Sequence, residues 1–188
     1  HDPVTKLGNG KRWTTKGWII CNCKWQNRRR DVWGFQNGPG RPGWSELFFL
    51  DEVTALAAGH RPCFYCRRAD ANRFRSAFVA GNPECDGSAP SMDRLLHDQR
   101  RLSGKHDLPA LTSEDIAILP DGTMLELNGE FFALKKGALH RWDFAGYGKK
   151  SNLKQVAGTG KLVLVTPKST VGALANGFLP SWHYSAGS

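Results

Sequence analysis

Long apolar runs are missing from this chain. Nothing in its 188 residues approaches the eighteen consecutive apolar residues that a membrane-spanning helix needs. No signal peptide is visible either, which makes a cytoplasmic setting the expectation. The usual signatures of catalytic machinery are also absent. There is no glycine-rich phosphate loop ending in lysine, no nucleophile elbow and no zinc-protease helix. Cysteine is sparse and odd in number: five residues, Cys21, Cys23, Cys63, Cys66 and Cys85. An odd count argues against a closed disulfide framework, and two close pairs favour metal. Acidic residues are the scarcer charge, 17 against 26 Lys and Arg, for a net charge of +9.

That imbalance is concentrated. Residues 1–80 hold 14 cations and 6 anions, a net +8, whereas residues 81–188 hold 12 and 11, a net +1. A basic first half implies an anionic partner, with nucleic acid the leading candidate. The plainer alternative is a solvated basic surface.

Phe48 to Cys66 is the best punctuated stretch. Phe48, Phe49 and Leu50 suit a buried strand end. Asp51 is placed to cap a helix, with Glu52 at its positive end and Val53, Leu56 and Ala57 on one face. Gly59 suits the left-handed stop and Pro62 blocks resumption. Cys63 and Cys66 then have the spacing with which two thiolates grip a tetrahedral zinc. Cys21 and Cys23 form a tighter pair after the strand-like Trp18-Ile19-Ile20. The expected site is zinc on Cys21, Cys23, Cys63 and Cys66, with Cys85 or His60 as substitutes in the set.

Lys24 to Asp31 carries Arg28, Arg29 and Arg30, flanked by Trp25 and Trp33. Cations alternating with aromatics suit phosphate contact and base stacking, although a run of three arginines is equally a solvated turn. Arg61, Arg67 and Arg68 add cations beside the second cysteine pair. Residues 34–43, with four glycines and two prolines, read as a loop.

Downstream, Arg67 to Ala80 reads as a helix with Phe74, Phe78 and Val79 inward. Ser91 is expected to cap a second helix, Met92 to Leu102, with Met92, Leu95, Leu96 and Leu102 as its core stripe. Asp93 and His97, four apart on that helix, and His106 and Asp107 in the following loop are candidates for an acid–base or metal site. A surface salt bridge explains the same pattern. Beyond Ala117 the period changes. Asn128-Gly129 is a hairpin signal, followed by strands over Glu130–Lys135 and Ala138–Phe144, a loop over Gly146–Gly160 and a strand at Leu162–Val165. Ser169 or Thr170 is expected to cap a last short helix. The whole is an α+β chain, a basic zinc-binding part over 1–88 and a helix plus β-rich part over 89–188, the two packed separately or as one.

The last helix repeats the first. Val53 to Pro62 and Val171 to Pro180 both read Val-x-Ala-Leu-Ala-x-Gly-x-x-Pro. Ser181 and Tyr184 occupy the second copy's cysteine places, so only the first copy can hold metal in this way.

Ala55-Leu-Ala-Ala-Gly-His-Arg-Pro-Cys-Phe-Tyr-Cys66 resembles the second half of the zinc-binding N-terminal domain of Ada, the bacterial alkylation-response protein. The likeness is clear over 48–66 and loose over 18–80. In that domain four cysteines hold one zinc, the domain binds DNA, and one zinc-bound thiolate accepts a methyl group from a damaged phosphate. The resemblance implies zinc on Cys63 and Cys66, a looser match for Cys21 and Cys23, DNA as partner, and a link to DNA modification or damage. The first pair here is Cys-x-Cys rather than Cys-x-x-x-Cys, and the segment between the pairs is longer. Both departures surround the methyl-accepting cysteine, so methyl transfer gains little. Two other functions stay open: a nuclease or DNA-processing enzyme using Asp93, His97 and His106, and a zinc-stabilised module binding an acidic protein surface.

Overall fold

A computed structural model of the chain describes residues 15–22, 24–26, 28–29, 47–102, 109–151 and 160–187. It is a mixed α+β fold, with a five-stranded antiparallel sheet packed on a helical layer. No helix among the described residues is long and apolar enough to cross a membrane.

The first helix, α1 (Glu52–Ala57), starts as its sequence dictates. The Asp51 carboxylate accepts the Thr54 N–H at 2.9 Å, and the Thr54 hydroxyl accepts the Asp51 N–H at 3.2 Å. This is a reciprocal capping box with threonine in the role glutamate usually plays. Its end is also local. Gly59 takes φ +77°, the His60 N–H reaches Ala55 O at 3.0 Å, and the Gly59 N–H reaches Leu56 O at 2.9 Å. These are the two bonds of a Schellman stop. The final helix, α5 (Lys168–Ala175), ends identically, with Gly177 at φ +92°, Phe178 N–H on Ala173 O and Gly177 N–H on Leu174 O. The sequence echo is therefore a shared helix stop.

All six residues of α1 are buried, not a single face. Val53 and Ala57 meet Met124, Ala133 and Tyr147 of the sheet, whereas Leu56 joins a second core with Phe74, Phe78, Met92, Leu96 and Leu174. That second core draws on α2 (Arg68–Gly81), α3 (Ala89–Leu102) and α5. Helix α1 thus touches apolar residues on both sides of residue 88. Helices α2 and α5 cross with their backbones touching. A Cβ on Gly81 would lie 2.4 Å from the Gly172 carbonyl, closer than any side chain tolerates.

The sheet contains β5 (Met124–Leu127), β6 (Glu130–Lys135), β7 (Ala138–Asp143), β8 (Gly146–Ser151) and β9 (Val163–Leu164), in the order β8-β7-β6-β5-β9. Asn128 and Gly129, at φ +51° and +84°, make the expected tight hairpin turn. Leu125, Leu127, Phe132, Leu134 and Leu139 line one face, closed by Ile116 and Leu162.

Several expectations are corrected. Phe48 to Leu50 is not a strand, and Phe48 is 69% exposed. The helix expected from Met92 begins at Ala89, so Ser91 sits in its first turn, its N–H on the Ser88 hydroxyl at 3.3 Å. Ser169 and Thr170 lie inside α5. The Ser169 N–H and hydroxyl both reach the Gln99 carbonyl, tying α5 to α3. The first six residues of the Gly146–Gly160 loop form edge strand β8, because β7 offers them backbone partners that composition does not reveal. A short helix, α4 (Ser113–Ala117), escaped the sequence reading. Its signal was there: Thr112 and Asp115 cap each other reciprocally.

Candidate metal centre

Two very short strands build the site. β1 (Ile19–Ile20) pairs in parallel with β4 (Arg61–Pro62), Ile19 opposite Arg61 and Ile20 opposite Pro62. The Arg61 N–H reaches Trp18 O at 3.0 Å and the Cys63 N–H reaches Ile20 O at 3.1 Å. The next residue on each strand is a cysteine, so this register brings Cys21 beside Cys63. The knuckle then folds Cys66 back. The Arg67 N–H closes on Cys63 O at 3.0 Å, and the Tyr65 N–H points at Cys63 Sγ at 3.4 Å. Asn22 clasps the knuckle from the other segment, its N–H on Cys66 Sγ at 3.3 Å and its side-chain amide on Cys66 O at 3.1 Å.

The three sulfurs lie within 4.8 Å of one another. An ion bonded to each at about 2.3 Å needs sulfurs roughly 3.8 Å apart in tetrahedral geometry, a separation inside that limit. All three cysteines are free of disulfides. Burial pushes the Cys63 thiol up, but N–H groups of Cys66 and Tyr65 and the thiols of Cys21 and Cys66 outweigh it and hold it below its ordinary value. Backbone N–H groups aimed at sulfur favour the thiolate, the form that binds metal. Three close cysteines with this support can hold a metal ion.

The substitutes offered for the set do not join it. Cys85 is buried in the helical core, its thiol 3.5 Å from the Ser91 hydroxyl. His60 is buried between the rings of Trp18 and Phe49, at 5.1 and 4.8 Å. Burial, then the Arg100 charge, lower its pKa to about 4. Cys23, Arg30, Trp33, His106 and Asp107 lie outside the described residues. Trp25, Arg28 and Arg29 are described by backbone alone, in the antiparallel ladder of β2 (Lys24–Trp25) and β3 (Arg28–Arg29).

The arginines expected to meet nucleic acid divide sharply. Arg61 holds Asp93 with two 2.8 Å hydrogen bonds, at side-chain exposures of 7% and 15%. Arg67 reaches Glu52 at 2.8 Å and Asp70 at 2.8 Å, and Glu52 in turn accepts the Ser181 N–H at 2.9 Å. Both guanidiniums are paired inside the fold, tying the knuckle to α1, α2 and α3. Arg68 is exposed. The Asp93 and His97 pair is likewise part of the framework: both Asp93 oxygens lie on Arg61, and His97 is buried with Nδ1 3.4 Å from Arg100. Sequence reading missed Asn22 and Arg100. Arg100 reaches Gly59 O and Lys16 O at 2.6 Å each and stacks 4.0 Å over Trp18, holding the β1 segment on α3. Residue type gives no signal for such long-range ties.

Compared with known proteins, the chain matches no family model, no curated protein and no solved structure.

His60 makes stability pH-dependent. Its pKa is about 4 when folded and about 6.5 when unfolded, so below pH 6.5 the unfolded chain binds the extra proton. Stability is full above pH 6.5 and falls toward pH 4, by about 3 kcal/mol from this residue. Urea midpoints between pH 7 and pH 4.5 should drop less steeply for His60→Phe than for the native chain. Equal slopes would assign the loss to other groups.

Proposed function

We propose that this chain is a zinc-containing nucleic-acid-binding protein, acting on DNA in the first instance, with the zinc in a structural role. The observation that carries the reading is the convergence of Cys21, Cys63 and Cys66 from segments about forty residues apart. An all-sulfur donor set suits zinc rather than magnesium or calcium, which take oxygen. Cys23, two residues from Cys21, is the proposed fourth ligand. Cys21, Cys63 and Cys66 would hold the metal, which would crosslink the β1 segment to the knuckle. The chain's own part is to aim N–H groups of Asn22 and Tyr65 at two of the sulfurs. The Ada-like unit is supported by the order helix, glycine stop, Arg-Pro and Cys-x-x-Cys.

The net charge of +9, mostly on residues 1–80, supplies the attraction for an anionic partner. The test is metal analysis together with oligonucleotide binding across salt concentrations. One zinc per chain and an affinity falling steeply with salt are expected. Zinc-free protein from a zinc-supplemented preparation, or no binding at low salt, would overturn the reading.

A further inference from the structure

Two of the knuckle arginines are held inside the fold, and what stays outside is a different set. Arg68 and Arg75 are seven residues apart on α2, hence on one face and about 10 Å apart along the axis. Both are exposed, and neither forms an ion pair among the described residues. The carboxylate in the first turn, Asp70, is engaged by Arg67 and Arg73. The guanidinium of Arg75 lies 5.9 Å from the centre of the Phe64 ring, which brings that cation back to the knuckle. Arg61 approaches the same ring at 5.2 Å. Next in sequence, Tyr65 is 68% exposed, while its own N–H is held on Cys63 Sγ. Tyr65 is thus largely exposed on a backbone fixed at the metal centre, Arg68 follows three residues on at the start of α2, and Arg75 is held over Phe64, the residue before Tyr65.

We infer that Tyr65, Arg68 and Arg75 form a contact surface for single-stranded nucleic acid, the tyrosine ring stacking on an unpaired base and the two guanidiniums meeting phosphates along the strand. This rests on the nucleic-acid reading above and narrows it. Positive charge alone suits any polyanion. The exposed ring selects the strand form, because bases in a duplex are already stacked on one another, whereas a single strand offers free base faces. A ring anchored at a rigid knuckle loses little freedom on stacking. The contact is indifferent to sequence, since every base has a face to offer.

The test uses the full zinc-loaded chain and a fluorescein-labelled twenty-residue oligothymidine, with a duplex of the same length beside it. Tyr65→Ala should weaken single-strand binding about tenfold, with duplex binding changed less than about twofold. Tyr65→Phe keeps the ring and should retain native affinity. The pair Arg68→Ala and Arg75→Ala should reduce the single-strand salt slope by about 1.4, or about 0.7 for each phosphate left without its guanidinium. Unchanged zinc content and circular dichroism show that each variant is folded. Native single-strand affinity in Tyr65→Ala and in the arginine pair, with the native chain still binding, would overturn this surface and leave the nucleic-acid reading standing. No binding of either oligonucleotide by the native chain overturns both. Poly-glutamate binding with the same dependence on Tyr65 also overturns it, in favour of an acidic protein partner.

Discussion

Replacing Cys63 by serine is expected to abolish metal binding and to lower the melting temperature by about 10 °C relative to the metal-loaded native chain. The size of the effect follows from linkage. A ligand present at about a thousand times its dissociation constant stabilises the folded state by about 4 kcal/mol. In a chain of this size each kcal/mol moves the midpoint by roughly 2–4 °C. Loss should stop short of global unfolding, because the three apolar clusters of the helices and sheet contain none of the three grouped cysteines. The part released is the β1 segment, whose pairing with β4 is two residues long. Limited proteolysis should therefore cut near residues 15–22 in Cys63→Ser and in chelator-treated native protein. Cys85→Ser is the control. It touches the helical core and the Ser91 hydroxyl, so metal content should be unaffected. Full zinc occupancy in Cys63→Ser, measured by metal analysis, would remove the centre assigned here.

Asp93→Ala is expected to cost about 3–5 kcal/mol, because it strands the buried guanidinium of Arg61 without its carboxylate. Denaturant midpoints measure this directly. The loss should propagate to the metal centre. Arg61 is the first residue of β4, and Asp93 on α3 sets where that strand lies relative to β1. Zinc release to a chelator should therefore be faster in Asp93→Ala. The double variant Arg61→Met with Asp93→Leu removes both charges together and should recover most of the stability, since a well-packed apolar pair often equals a buried ion pair. This experiment also separates framework from chemistry. A catalytic Asp93 predicts lost turnover at native stability; the bidentate geometry predicts lost stability first.

These two expectations rest on different kinds of legibility. The sequence alone determined the parts whose causes are local. Asp51 and Thr54 are three residues apart and cap each other wherever the helix is placed. Gly59 and Gly177 end their helices because only glycine reaches positive φ without penalty. Asn128-Gly129 turns a hairpin because asparagine tolerates, and glycine readily adopts, the positive φ that the turn needs. Cys63 and Cys66 can share an ion because the chain between them is short. The mixed helix and sheet character followed from these signals and the change of apolar period.

Tertiary structure alone decided what depends on partners far along the chain. A two-residue strand has no period to read, so the pairing that places Cys21 beside Cys63 was visible only once β1 and β4 were brought together. Charge type likewise says nothing of burial. Arg61, Arg67 and Arg68 look equivalent in sequence, yet Asp93, 32 residues on, and Glu52, on the neighbouring helix, draw the first two inward and leave the third exposed. The physical reason is that a guanidinium goes where a carboxylate can balance its lost hydration, and that balance is set by the fold rather than by the residue beside it.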